Sequence, residues 1–211
     1  MNMKSHFMIF AWLVFSINLF AQTDNSISLV KQEASFKALS FLNLIPEGRE
    51  NEYGFDSRSD FSKIQIEEPY QTYYVSVDHD KLSFIGGGEW RVPLSVNNLF
   101  VALLTVQLED GKAEAVDFGG NLLAQKLQEF ENQYLGGGEK LVMIRNTFLN
   151  HDYVTTNFSS LCKQANAGGH IPVNVQSTQT IFQLNEASPK VTSMAAFCKE
   201  TVDFAKNTIE K

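Results

Sequence analysis

The sequence predicts an α+β fold, an antiparallel β-sheet meander packed by amphipathic helices, and three observations carry that expectation. Apolar residues recur at three-to-four spacing in stretches near residues 27–45, 123–134 and 191–209, and they alternate at period two between 69 and 118. Asparagine, aspartate and glycine punctuate the alternating stretch at hairpin intervals. With 44% hydrophobic and 12% aromatic residues but only 5 prolines and 13 glycines, the chain is neither collagen-like, low-complexity nor wholly disordered. Lys and Arg number 17 against 24 Asp and Glu, a formal charge of −7 over 211 residues, which argues against a nucleic-acid partner.

The first element is a leader. Lys4 and His6 precede an apolar run from Phe7 to Phe15, Ser16 and Asn18 weaken its far end, and small Ala21 stands before polar Gln22-Thr23-Asp24. This is the pattern of a signal peptide over residues 1–21, and its core is shorter than the roughly 20 apolar residues of a membrane-spanning helix. No cysteine stands near the cut, which argues against a lipoprotein. Removal leaves 211 − 21 = 190 residues and, with Lys4 gone, a charge of −8. The expected location is periplasmic or extracellular, with no transmembrane span.

The next segment is helical. Ile27, Val30, Ala34, Ala38, Phe41 and Ile45 mark one face, Asn25 or Ser26 caps the start, and Pro46 with Gly48 stops it. Glu47 to Glu68 then holds seven acids against Arg49, Arg58 and Lys63, a local charge of −4 that reads as a solvated connection. Tyr53, Phe55, Phe61 and Ile64 interleave with those charges, so part of it is alternatively an irregular or short helical layer, or an acidic binding edge.

From Pro69 the period becomes alternating. Tyr73, Val75 and Val77 oppose Tyr70, Thr72 and Tyr74 on one strand up to Asp78-His79-Asp80, and Leu82 with Phe84 forms a short partner running into Gly86-Gly87-Gly88. Trp90, Val92, Leu94 and Val96 reach an Asn97-Asn98 turn, Leu99 to Leu108 is the most apolar strand, and Ala113 to Phe118 follows Asp110-Gly111. Four or five antiparallel strands are expected. Pro93 cannot donate to a ladder, which places its strand at an edge or at a bulge. A second helix carries Leu123, Leu127, Phe130 and Tyr134 behind an Asn121 cap, ending at Gly136-Gly137-Gly138. Lys140 to Phe148 and Tyr153 to Phe158 read as a hairpin, Ser159 to His170 as a loop, and Ile171 to Val175 and Thr180 to Leu184 as extended. Val191, Met194, Cys198, Val202, Ala205 and Ile209 mark a last helix.

The domain plan is either an N-terminal helix plus meander over 22–118 with a C-terminal α+β half over 119–211, or one continuous domain over 22–211. The similarity of Phe84-Ile-Gly-Gly-Gly-Glu89 to Tyr134-Leu-Gly-Gly-Gly-Glu139, at an offset of 50, is read as recurrent glycine use, because a strand precedes one and a helix the other.

Export changes the meaning of Cys162 and Cys198, since oxidising compartments favour a disulfide. That bridge would close a loop of 198 − 162 = 36 residues. The rival is a thiol hydrolase with Cys162 as nucleophile and His170 or His151 as its base. Asp78, Asp80 and Glu89 match three positions of a calcium loop, but Leu82 and Ser83 occupy positions that need an oxygen ligand and glycine, so the match fails. His79, His151 and His170 stand apart without zinc spacing, and no phosphate cradle, paired-carboxylate or G-x-S-x-G signature occurs. Neither metal nor cofactor is expected.

Binding candidates are Trp90, Arg91, Tyr70 and Tyr74, aromatic and guanidinium side chains of the kind enriched at hot spots. Trp90, in phase with Val92 and Leu94, reads better as core; with the opposite sheet face exposed, Arg91 and the tyrosines would receive a peptide or a sugar. The helix at 27–45 followed by the meander from Glu68-Pro69-Tyr70 through Asp117-Phe118 resembles the cystatin-like and peptidase-propeptide-like (PepSY-type) layouts, and the Phe-Ala-Gln end of the leader is similar to signals of Bacteroidota-type exported proteins. That resemblance implies protease inhibition or propeptide chaperoning, without the inhibitory loop motifs of cystatins. The expected function is therefore non-catalytic binding of a protein or peptide outside the cytoplasm, with inhibition or chaperoning of an exported peptidase as its sharpest form. A thiol hydrolase and a structural, envelope-associated protein are the alternatives.

Overall fold

The computed structural model describes residues 25–78, 81–135, 141–156, 158, 170–172, 180–184 and 190–209. The expected leader, His79, Gly136 to Gly138 and Cys162 lie outside the described residues.

Helix α1 covers residues 25–42. Val30, Ala34, Ala38 and Leu42, one turn apart, form its fully buried stripe. The acidic stretch that follows is largely exposed at its charges, yet two 3-10 turns, Glu50–Tyr53 and Arg58–Lys63, carry its aromatics inward. Phe55 and Phe61 pack edge to face with ring centroids 5.1 Å apart, and Arg58 donates to the Ile45 carbonyl at 2.6 Å. Burial of those rings makes the segment a short helical layer, not merely solvated chain.

Strands β1 (Gln65–Ile66), β2 (Tyr70–Asp78), β3 (Lys81–Val96), β4 (Leu99–Glu109) and β5 (Lys112–Gly119) form the meander. Asn97 and Asn98 have φ of 53° and 64°, and Asp110 and Gly111 have 50° and 74°. Both are two-residue turns with paired positive φ, whose twist matches that of the strands they join. Helix α2 (Asn121–Tyr134) follows, with Gly120 rather than Asn121 at the N-cap; Asn121 instead accepts the Leu122 N–H at 2.8 Å. Strands β6 (Val142–Asn146), β7 (His151–Thr155), β8 (His170–Pro172), β9 (Thr180–Gln183) and β10 (Lys190–Ser193) lead to helix α3 (Met194–Ile209). β10 was not legible in the sequence, because Val191 fits the helical spacing of α3 as well as it fits a strand.

These strands form a single sheet ordered β10-β9-β7-β6-β2-β3-β4-β5, with β1 and β8 also paired to β3. Every pairing is antiparallel except β2 with β6, where Tyr73 lies beside Ile144. The sheet thus runs unbroken across Gly119-Gly120. α1 covers Trp90, Val92, Leu94, Leu104 and Val106, and α3 covers Val75, Phe84, Ile144, Tyr153 and Ile181. The registers Gln71–Trp90 and Tyr73–Ile144 place both sets on one face. α2 lies on the other face, over Tyr70, Leu103, Met143, Val154 and Leu184. Among the described residues no helix is long and apolar enough to cross a membrane.

Two expectations are corrected at β3. Gly86 to Gly88 do not separate two strands; they form a bulge inside one 16-residue strand, across which the register with β2 jumps from Gln71–Trp90 to Tyr73–Gly86. On its other side, β3 changes partner there, from β8 at 83–85 to β4 at 89–96. Pro93 lies in this central strand, not at an edge. It is tolerated because its carbonyl, accepting from the Glu67 N–H at 3.0 Å, faces the stretch between β1 and β2, and the missing donor faces the same way. That neighbour carries the irregularity: Ile66 pairs with Leu94 but Tyr70 with Arg91, so Glu67 to Pro69 holds one residue more than the ladder needs.

Gly88 has φ of +67°, and a Cβ there would press on the Leu108 carbonyl oxygen, whereas Gly111, at +74°, has open space around it. Gly88→Ala therefore loses both conformation and packing, and Gly111→Ala conformation alone. Urea unfolding should show a loss of about 1 to 2 kcal/mol for Gly111→Ala and a clearly larger one for Gly88→Ala; equal losses would mean that β3 does not bend at this glycine.

Candidate functional site

The surplus residue at Glu67 to Pro69 opens the sheet. Tyr70 from one face and Trp90 from the other meet at the break, where a cleft of about 270 Å³ is walled by Ile27, Pro69, Leu135, Leu141 and Val142 and edged by Glu68, Gln71 and Glu131. The Tyr70 hydroxyl donates to Glu131 of α2 at 2.5 Å. Burial, then the Glu131 carboxylate and the charges of Glu67 and Glu68, push the Tyr70 phenol far above its ordinary range. Burial likewise raises the Glu131 carboxyl, against the Tyr70 bond that lowers it, and Glu67 adds to the rise. Lys31 pairs with Glu68 at 3.0 Å, while Glu67 accepts from the Ser95 hydroxyl. Among the described residues no cation pairs with Glu131.

A second constellation lies on the α2 face beyond the helix. Thr105, Arg145 and Asp152 each stand two positions along their strand from a residue that α2 packs on, Leu103, Met143 and Val154. Glu89, 6% exposed, is its centre. It accepts from Tyr74 at 2.5 Å, from Arg91 Nε at 3.0 Å and from Gln107 at 3.3 Å, and Arg91 also reaches Thr105 at 2.8 Å. Arg145 pairs with Asp152 at 2.6 Å and donates to Asn150 at 3.0 Å. Burial and the Glu89 carboxylate push Tyr74 up to about 12, opposed by the positive charges of Arg91 and Arg145. A buried carboxylate with this many donors is a satisfied structural knot. The nearby Thr72 hydroxyl is buried and has no hydrogen-bond partner among the described residues.

A larger hollow of about 480 Å³ lies between the 3-10 layer, the Asn97-Asn98 turn and α2. Gln128 clamps its floor, donating to the Asn98 carbonyl at 2.6 Å and accepting from the Phe100 N–H at 3.0 Å.

The four residues singled out in the sequence thus divide into pairs. Tyr70 and Trp90 line the cleft, each mostly within the core, and Tyr74 and Arg91 converge on Glu89. Glu131, Leu135, Leu141 and Val142, brought to the cleft by α2 and β6, were missed, since nothing in local pattern announces the parallel join of β2 with β6. Cys198 is buried against α3's own Met194, its thiol 3.6 Å from Sδ, and burial pushes it up to about 11, an inert environment for a nucleophile. His151 Nδ1 lies 3.4 Å from the Tyr153 hydroxyl. Among the described residues no three His, Cys, Asp or Glu side chains converge as a metal site. Comparison with protein-family models, curated proteins and solved structures returns no match.

Removing the Glu89 carboxylate strands Arg91, Tyr74 and Gln107, and Glu89→Ala should cost roughly 3 kcal/mol in chemical denaturation. The tyrosines set the alkaline limit. A phenol whose folded pKa is raised contributes stability that is complete below its unfolded value near 10 and is lost as pH rises through the folded value. With Tyr74 and Tyr153 both at about 12, unfolding free energy should fall between about pH 10 and 12. Tyr74→Phe should make that fall shallower and remove one late-ionising phenol from the ultraviolet titration; loss of a phenol that ionises near 10 instead would contradict the Tyr74–Glu89 bond.

Proposed function

We propose that this chain is an exported, non-catalytic protein- or peptide-binding domain that takes an extended peptide along the edge formed by residues 65–70, with one side chain seated in the adjoining cleft. The observation that carries this reading is the open edge itself. β1 is paired only to β3, and β6 joins β2 only from Gln71 onward, so among the described residues no strand lies along the outer side of 65–70. The Glu67 N–H points at β3, and backbone alternation within β1 turns the groups of Ile66 outward. An unpaired edge beside a cleft is the geometry of strand addition, in which main-chain bonds supply affinity and a pocket supplies specificity. Inhibition or chaperoning of an exported peptidase is the sharpest form of this role, and it is what the resemblance of residues 27–118 to cystatin-like and PepSY-type layouts implies. In the oxidising compartment to which the leader would send the chain, Cys162 and Cys198 form a disulfide worth about 3 to 4 kcal/mol by loop entropy.

Peptides selected from a random library against residues 22–211 should slow amide hydrogen exchange at Ile66. Ile66→Pro, which deletes an outward donor and spares the Glu67 to Pro93 bond, should weaken them about tenfold or more. Protection elsewhere with none at 65–70 would overturn this reading, and the wild-type exchange pattern decides the matter even where the proline variant folds poorly. A thiol count on denatured protein recovered from the oxidising compartment should find none free; a titratable Cys162 would return attention to the thiol hydrolase.

A further inference from the structure

On the premise of peptide binding at this edge, we propose that the side chain the cleft selects is a lysine or arginine. The walls suit its stem: Ile27, Pro69, Leu135, Leu141 and Val142 are aliphatic, and Trp90 offers an indole to a cation. The acceptors suit its head. Glu131 and Glu68 both stand at the cleft, and of the two only Glu68 has a described cationic partner, Lys31.

Three alternatives fit less well. A neutral aliphatic side chain would fill the walls and leave Glu131 half-buried with the Tyr70 phenol as its one partner among the described residues, which is costly for a charged carboxylate. An acidic side chain would meet two like charges, Glu68 and Glu131. A phosphate or a peptide's carboxyl terminus would find no described guanidinium in the lining. The raised carboxyl of Glu131 is what a desolvated acid without a counter-ion displays, and an entering ammonium or guanidinium would reverse it.

The protein carries its own reporter, since Trp12 lies in the leader and Trp90 is the only other tryptophan. The test uses residues 22–211 and peptides of the form acetyl-Ala-Ala-X-Ala-Ala-amide, with X as arginine, lysine, norleucine or glutamate, read by Trp90 emission. The arginine and lysine peptides should bind about tenfold or more tighter than norleucine, whose stem matches lysine without the charge. Glu131→Gln keeps an acceptor for Tyr70, and it should collapse the preference for arginine and lysine over norleucine, an outcome that a merely structural Glu131 would not produce. Equal binding of norleucine, or better binding of glutamate, would overturn the cationic assignment and leave peptide binding standing. No response to any peptide, with no exchange protection at 65–70, would remove both.

Discussion

The architecture depends on a conflict within one hydrogen-bond ladder. β3 runs for 16 residues and has to pair with β2 and β1 on one side and with β8 and β4 on the other. No regular strand of that length serves four partners, because sheet twist carries its two ends out of plane. The chain resolves the conflict twice. Gly86 to Gly88 absorb the bend within β3, with Gly88 in a conformation that other residues rarely adopt. Opposite Pro93, the surplus residue at Glu67 to Pro69 lets the neighbouring strand slip past two positions that lack an N–H.

The cleft is a by-product of the second solution. Where a ladder stays intact, the faces of a sheet are separate compartments, and Trp90 under α1 would never share a wall with Leu135 below α2. A one-residue slip joins the compartments and leaves aromatic, aliphatic and carboxylate groups around one small volume. Among the described residues β6 pairs with β2 from Gln71 onward, so that ladder begins just past the slip. Tyr70 ties the two together, its ring in the core with α2 and its hydroxyl on Glu131.

Much of the fold was legible because it is written locally. Asn97-Asn98 and Asp110-Gly111 announce two-residue turns, and Val30, Ala34 and Ala38 announce a helix face. What escaped was non-local. Gly86 to Gly88 have the composition of a turn, and only the strands on either side make them a bulge. Pro93 pointed correctly to an irregular ladder and wrongly to its own strand, since sequence cannot say on which side of a pair the extra residue falls. The candidate site was half legible: Tyr70, Trp90, Arg91 and Tyr74 were noticed as aromatic and cationic groups, but alternation around the bulge, not residue type, decided which of them meet. Glu131 looked like any exposed helical acid until α2 was laid across Tyr70.

The parallel join of β2 with β6 also bears on how the chain reaches this state. Each contact within the meander closes a short hairpin, whereas Gln71 has to find Val142 across 70 intervening positions, the antiparallel strands and α2 among them. Closing so large a loop is entropically slow, and it falls after the local pairings have formed. Until it is made, β2 offers its backbone as a bare sheet edge over the stretch that later meets β6. The half-folded chain is therefore at its most adhesive just before completion, along the outer side of β2.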